Sequence, residues 1–280
     1  MKLDLVDVFG SAPLKGNPLG VVHGGGDLTG EQMLALTQWL GFSETTFLLP
    51  PSDAAADYRV RIFYPAGELP FAGHPTLGSC HAWLEAGGRP QREGLVVQQC
   101  DAGLIEVKQD GDMLAFAAPP LLKGGALSDD ERTECARVAG VPQEVIVEAV
   151  HANNGPGWKL LRLRSAEDVL AAEPVSKAPA GTDIGLVGPH IEGSPVAWEL
   201  RAFFGNQHGV VVEDPVTGSL NAAAAIYLFG TGLAKESYVA GQGSMIGADG
   251  VIHCSVDKNN AVWVGGKCAT IAGGAELPAA

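Results

Sequence analysis

The 280-residue chain spells part of itself twice, and this constrains its fold more than any other feature. Set side by side at an offset of 140, residues 61–82 and 201–222 share Arg61/Arg201, Phe63/Phe203, Pro75/Pro215, Gly78/Gly218, Ser79/Ser219 and Ala82/Ala222. The common pattern is [HD]-P-x-x-G-S, with His74 before the proline in the first copy and Asp214 in the second. A duplication of this length predicts two related halves. It also raises the question of why the two copies differ at that one position.

Each copy continues as a helical pattern, the first over about 75–86 and the second from 215 or 218 to about 229. His74 and Asp214 fall at or near the N-caps, with proline at the first helical position, where its missing N–H costs nothing. The second stretch, SLNAAAAIYLF, carries no charged residue, and the first carries one near its end. A helix apolar on every face is buried on every face. Gly78, Ser79, Ala82 and the alanines at 222–225 would let strands come close.

The rest of the chain reads as many short strands with few helices, so the halves are expected to be sheets curled around one central helix each. Strands are expected at 2–8, 44–49, 57–64, 95–99, 103–108, 113–117, 145–150, 158–163, 184–187, 198–204, 209–213, 251–256 and 261–272. Capping boxes start two further helices, Thr29 with Gln32 before a stop at Gly41, and Ser128 with Glu131 before a stop at Gly140. A shorter helix is expected over SAEDVLAA. The Pro- and Gly-rich stretch 119–127 reads as a linker between halves 1–118 and 128–264, with about 265–280 packing back on the first half.

A buried helix still has to satisfy its first N–H groups. If both helices open onto a cleft between the halves, their positive ends make a site for a carboxylate or similar anion. The His74/Asp214 switch then supplies two different chemical groups at equivalent places. The structural alternative is a capping aspartate and a satisfied, half-buried histidine.

SETTF, residues 43–47, adds a third group. Glu44 opens an apolar strand, and a carboxyl held against apolar walls titrates near neutral pH, as a general acid/base must. The alternative is an exposed glutamate at a strand end. His74 and His81 share a helical face but stand too far apart for one metal ion, and no third ligand accompanies them. GGG at 24–26 lacks the pattern of a phosphate loop, and no GxSxG elbow is present. Proton transfer by side chains remains, with no cofactor and no metal.

Composition narrows the setting. A hydrophobic fraction of 46% suits a packed core, and a net charge of −14 disfavours nucleic acid as a partner. No apolar run is long enough for a membrane span, and the start reads as a strand and not as a signal peptide. The five widely spaced cysteines, without a CxxC, read as buried thiols in a reducing cytoplasm.

Taken together, DVF with KGNPLGVV, SETTF, ELPFAGHPTLGS and EDPVTGS resemble the PhzF-like isomerase family of phenazine biosynthesis. NNGPGWKLL and VWVGGKCATIAGG are similar to weaker stretches of that family. The resemblance covers nearly the whole chain. It implies an α+β, diaminopimelate epimerase-like fold of two pseudo-symmetric domains, each a bent, mostly antiparallel sheet or barrel around a central helix. It further implies a cofactor-independent isomerase that moves a proton between carbons of a small carboxylated metabolite, dihydro-hydroxyanthranilate in the characterised member. In that reading Glu44 is the acid/base, His74 and Asp214 assist it, and Gly73, Gly218 and Ser219 bind the small anionic substrate. Asn17 lines the site at most. The resemblance implies a homodimer.

Related epimerases use two cysteines, and none of the five here falls in the corresponding regions. The chain departs from the family in RAFFGNQHGVVVEDP, which is longer and lacks a proline, and in GADG at 247–250. The rival readings are an amino-acid epimerase or racemase and a non-catalytic metabolite-binding protein.

Overall fold

The structure is a computed structural model and describes residues 1–277. In chain order the elements are β1 (Lys2–Val8), β2 (Asn17–His23), α1 (Gly30–Leu40), β3 (Thr45–Leu49), β4 (Tyr58–Tyr64), β5 (Gly67–Leu69), α2 (Gly73–Glu85), β6 (Leu95–Cys100), β7 (Gly103–Asp110) and β8 (Met113–Ala117). There follow α3 (Asp129–Ala139), β9 (Ile146–His151), β10 (Lys159–Leu163), α4 (Ala166–Leu170), β11 (Asp183–Pro189), β12 (Trp198–Gly205), β13 (Val211–Asp214), α5 (Gly218–Gly230), β14 (Ser237–Gln242), β15 (Gly250–Val256) and β16 (Val262–Glu276). The expected strands and helices are present. β2, β5 and β14 were not read from the sequence.

The chain divides into two compact units, residues 1–117 with 265–280, and residues 118–264. In the first unit β1-β2-β3-β4-β6-β7-β8-β16 are hydrogen bonded in that order, and β16 pairs back onto β1, which closes a barrel. α2 lies against β1, β2, β3, β6 and β8, and its residues from Gly73 through Cys80 are all buried. A Cβ on Gly78 would stand 2.5 Å from Leu19 Cδ2 and 3.0 Å from Val8 Cγ2, so the strands close down on the helix where it has no side chain. α1 packs outside the barrel, where Leu3, Val22, Met33, Phe47 and Phe63 form a second core.

In the second unit β9-β10-β11-β12-β14-β15 run side by side. α5 is buried along almost its whole length, with Leu220 against the bare backbone of Gly185 on β11. α3 and α4 cover another core built on Leu161, Leu163, Ile184, Leu186 and Phe203. Residues 119–127 belong to this unit and carry two isolated β-bridges, Lys123 to Asn153 and Ala126 to Val150. Leu122 N–H donates to Asn153 O at 2.7 Å, and Leu127 N–H donates to Ala149 O at 2.9 Å.

The two units repeat one topology. An antiparallel pair (β1/β2; β9/β10) leads through a helix (α1; α4) to a strand parallel to its second member (β3; β11). An antiparallel partner (β4; β12) turns into a short hairpin strand (β5; β13) and then into the buried helix (α2; α5). The strand after the helix (β6; β14) lies parallel to β4 or β12.

This topology corrects the register of the repeat. Phe63 pairs with Glu68, and Phe203 pairs with Glu213. The N-caps are Ala72 and Thr217, and both helices run for 13 residues, from Gly73 and from Gly218. The strands therefore match at an offset of 140 and the helices at 145. The second copy holds five more residues in its hairpin turn, the lengthened GNQHGV stretch. The duplicated motif is Glu-x-Pro-x-x-Gly, ELPFAG in one unit and EDPVTG in the other. His74 is the second residue of α2 and corresponds to Ser219, whereas Asp214 closes β13 and corresponds to Leu69. His74 and Asp214 are not equivalent, neither is an N-cap, and neither proline is the first helical residue.

The repeated Arg-x-Phe has a structural task in both units. Arg61 forks onto Glu68 at 2.7 and 2.6 Å and lies over the Phe63 ring. Arg201 forks onto Glu213 at 2.9 and 2.7 Å and lies over Phe203. Its Nη1 also donates to the carbonyls of Val169, Leu170 and Ala172, which satisfies the end of α4.

Candidate active site

In the first unit the β1–β2 loop and the start of β3 bring groups to the first turn of α2. Asp7, buried at the end of β1, accepts the N–H groups of Lys15 and Gly16. A Cβ on Gly16 would stand 2.1 Å from Val8 O, so only glycine lets the loop fold this tightly onto β1. The loop then delivers Pro18, whose carbonyl takes a hydrogen bond from the His74 ring. Glu44 is the last residue before β3, and its Oε2 lies 3.5 Å from His74 Nδ1.

Burial holds the His74 imidazole neutral and pushes its pKa down to about 3, with the Pro18 hydrogen bond opposing this weakly. The Glu44–His74 approach is therefore a neutral ring facing a carboxyl group, not an ion pair. At 3.5 Å it is longer than a hydrogen bond. Glu44 is half-buried, with 19% of its side chain exposed, against 6% for His74. The His74 Nε2 is buried, without a hydrogen-bond partner among the described residues. Gly73 is the first residue of the helix, and no side chain caps it. By contrast, α1 and α3 carry complete capping boxes.

The second unit holds Asp214, Gly218 and Ser219 around the first turn of α5. Thr217 donates its hydroxyl to Asp214 Oδ2 at 2.6 Å. Gln242 of β14, 2% exposed, fixes this corner. Its Nε2 donates to Asp214 O and Thr217 Oγ1, and its Oε1 accepts from Thr217 N and Asn221 Nδ2. The first unit repeats the device, with Gln98 Nε2 donating to Thr76 Oγ1 at 2.9 Å and Tyr58 donating to Gln98 Oε1. Thr76 and Asn221 are each the fourth residue of their helix. Ser219 is half-buried. Asn154 Nδ2 donates to its carbonyl at 2.8 Å, and Trp158 Nε1 donates to its hydroxyl at 3.0 Å.

Glu44, His74 and Gly73 thus lie together in one unit, and Asp214, Gly218 and Ser219 in the other. Sequence reasoning missed Thr217, Gln98, Gln242, Asn154 and Trp158 as the groups that hold these. The one signal was that Thr217 lies within EDPVTGS and that Asn154 and Trp158 lie within NNGPGW. Asn17 is fully buried at the start of β2. Burial keeps the thiols protonated. Burial raises Cys135 to about 11 and Cys254 to about 12, and it pushes Cys80 and Cys268 higher still. No helix among the described residues is long and apolar enough to cross a membrane.

A family model described as phenazine biosynthesis-like protein matches residues 6–274. Antisense-enhancing sequence 1 of Schizosaccharomyces pombe is 32% identical over 96% of this chain and 96% of its own length. The trans-2,3-dihydro-3-hydroxyanthranilate isomerase of Pseudomonas chlororaphis is 34% identical over 80% of this chain and 78% of its own. Among solved structures, a predicted epimerase from Pseudomonas aeruginosa superposes with a TM-score of 0.80 at 25% identity, over 99% of both chains. The α+β, epimerase-like fold expected from the sequence is the one observed.

Proposed function

The chain belongs to the phenazine biosynthesis-like protein family and is an isomerase, and on that premise we propose that it moves a proton between carbons of a small carboxylated cyclic or unsaturated metabolite, with Glu44 as the acid/base and without a cofactor. The observation that carries this reading is the placement of Glu44 against His74 at the uncapped start of α2. A half-buried carboxyl beside a neutral imidazole has a proton acceptor and a hydrogen-bonding partner in one place, which proton transfer needs. A single carboxylate suits a proton taken from and returned to one face of a substrate. Two opposed bases suit inversion, and the protonated, buried thiols offer no such pair.

In this reading His74 and Asp214 hold polar substituents of the substrate. Gly73, Gly218 and Ser219 bind its anionic group through the donors of two helix first turns. The homodimer implied by the family resemblance is part of the same proposal. The relative named for trans-2,3-dihydro-3-hydroxyanthranilate supplies the first compound to test. In deuterated water the wild-type protein should isomerise a carboxylated substrate with solvent deuterium entering one carbon. Glu44→Gln should lose at least a hundredfold in turnover, the low end of what general acid/base catalysis contributes, while binding is retained. Wild-type-like turnover in Glu44→Gln would remove Glu44 from the mechanism. Exchange with inversion at a single centre would make the protein an epimerase.

A further inference from the structure

The indole of Trp158 decides which way the Ser219 hydroxyl can act. An indole N–H only donates, while a serine hydroxyl has one proton and two lone pairs. With Trp158 Nε1 donating to Ser219 Oγ at 3.0 Å, the serine proton is turned away from the indole. Among the described residues Ser219 Oγ–H donates to nothing. Asn154 Nδ2 donates to the Ser219 main-chain carbonyl at 2.8 Å.

The indole is well fixed. Trp158 is 4% exposed and ends the β9–β10 loop. Its carbonyl accepts from Ala152 N at 2.8 Å, and the neighbouring Gly157 N–H donates to Asp183 Oδ2 at 3.2 Å. In the first unit β2 presents His74, the counterpart of Ser219, with an acceptor instead, the carbonyl of Pro18.

We propose that Trp158 is a positioning residue that turns the Ser219 hydroxyl proton away from the indole, so that at the first turn of α5 the hydroxyl donates to a carboxylate or carbonyl oxygen of the substrate. This rests on the reading of Ser219 as substrate-binding. It makes the β9–β10 loop, and not the helix end alone, the selector for the acceptor side of the ligand.

The test is a double-mutant cycle in the Glu44→Gln protein, which binds without turnover, with affinity for trans-2,3-dihydro-3-hydroxyanthranilate read by calorimetry. Ser219→Ala and Trp158→Phe should each weaken binding about tenfold, as loss of a hydrogen bond to a charged group does. The double variant should be no weaker than Ser219→Ala. In the active protein Trp158→Phe should raise KM and leave kcat unchanged, which a loss of stability alone does not do. Additive losses in the cycle overturn the proposal. Should Trp158→Phe fail to fold, the indole N–H resonance of Trp158 in 15N-labelled protein must still shift on ligand addition in the Ser219 protein and stay put in Ser219→Ala. A resonance that ignores the ligand overturns it equally. Failure of the Glu44→Gln protein to bind the compound overturns the ligand assignment, whereas the deuterium experiment reports on Glu44 independently.

Discussion

His74 shows how burial can set chemistry at a single residue. Its pKa lies near 3 in the folded protein, against about 6.5 for an unperturbed histidine. Between those values the unfolded chain takes up a proton that the folded chain refuses. Stability therefore rises with pH across that window and is lost as pH falls from about 6.5 toward 3. One such group contributes on the order of 1 kcal/mol per pH unit while both values bracket the pH. Chemical denaturation at pH 7 and pH 5 should show a smaller loss for His74→Gln than for the wild type. Equal losses in the two proteins would mean that His74 is protonated when folded. The same neutrality bears on Glu44, which meets a ring without positive charge.

At the scale of elements the sequence was readable wherever a local rule dominated. Thr29 with Gln32, and Ser128 with Glu131, announce α1 and α3 because capping is settled within four residues. The buried helices announced themselves by their lack of charge. β2 went unread because Asn17–His23 starts with Asn-Pro and has Gly in its middle, and its strand character comes from pairing with β1 and β3. The repeat was visible but misregistered. A gap-free comparison catches Arg61/Arg201 at an offset of 140 and also an accidental Gly-Ser match, and it hides the five added residues that only strand pairing reveals. The candidate site residues Glu44, His74 and Asp214 each came with a motif around them. Gln98 and Gln242 did not, and went unread because a glutamine becomes a fixture only when a helix is packed beside it.

The repeated arginine clamps permit a comparison within one chain. Arg201 and Glu213 are 5% and 9% exposed, and Arg61 and Glu68 are 26% and 36% exposed. Removing one partner of a buried pair strands the other, at a cost of about 3–5 kcal/mol. An exposed pair is worth no more than about 1 kcal/mol. Arg201→Met also strips three carbonyls at the end of α4 of their donor. Urea titration should find Arg201→Met destabilised by about 3 kcal/mol or more, and Arg61→Met by about 1 kcal/mol or less. Similar losses would mean that the clamp matters by its fork and not by its burial.

For the molecule as a whole, β16 is the strand on which the first unit depends. It begins at Val262 within residues 118–264, and from Gly265 onward it belongs to the unit formed by residues 1–117. There it lies between β8 and β1, with Val8 opposite Cys268 and Leu3 opposite Ala275. The first unit thus needs the last strand of the chain to close its barrel, and until that strand arrives β1 and β8 are open edges with unpaired N–H and C=O groups. α2 lies against both β1 and β8, so an open barrel also exposes the helix that carries Gly73 and His74. Ending the chain after Val264 should therefore cost the first unit far more than fifteen or so residues of ordinary tail would. The expected outcome is aggregation, or amide protons of β1, β8 and α2 that exchange without protection while those of β10, β11 and β12 stay protected. A truncated protein with native protection throughout β1 and α2 would show that the barrel closes without its last strand.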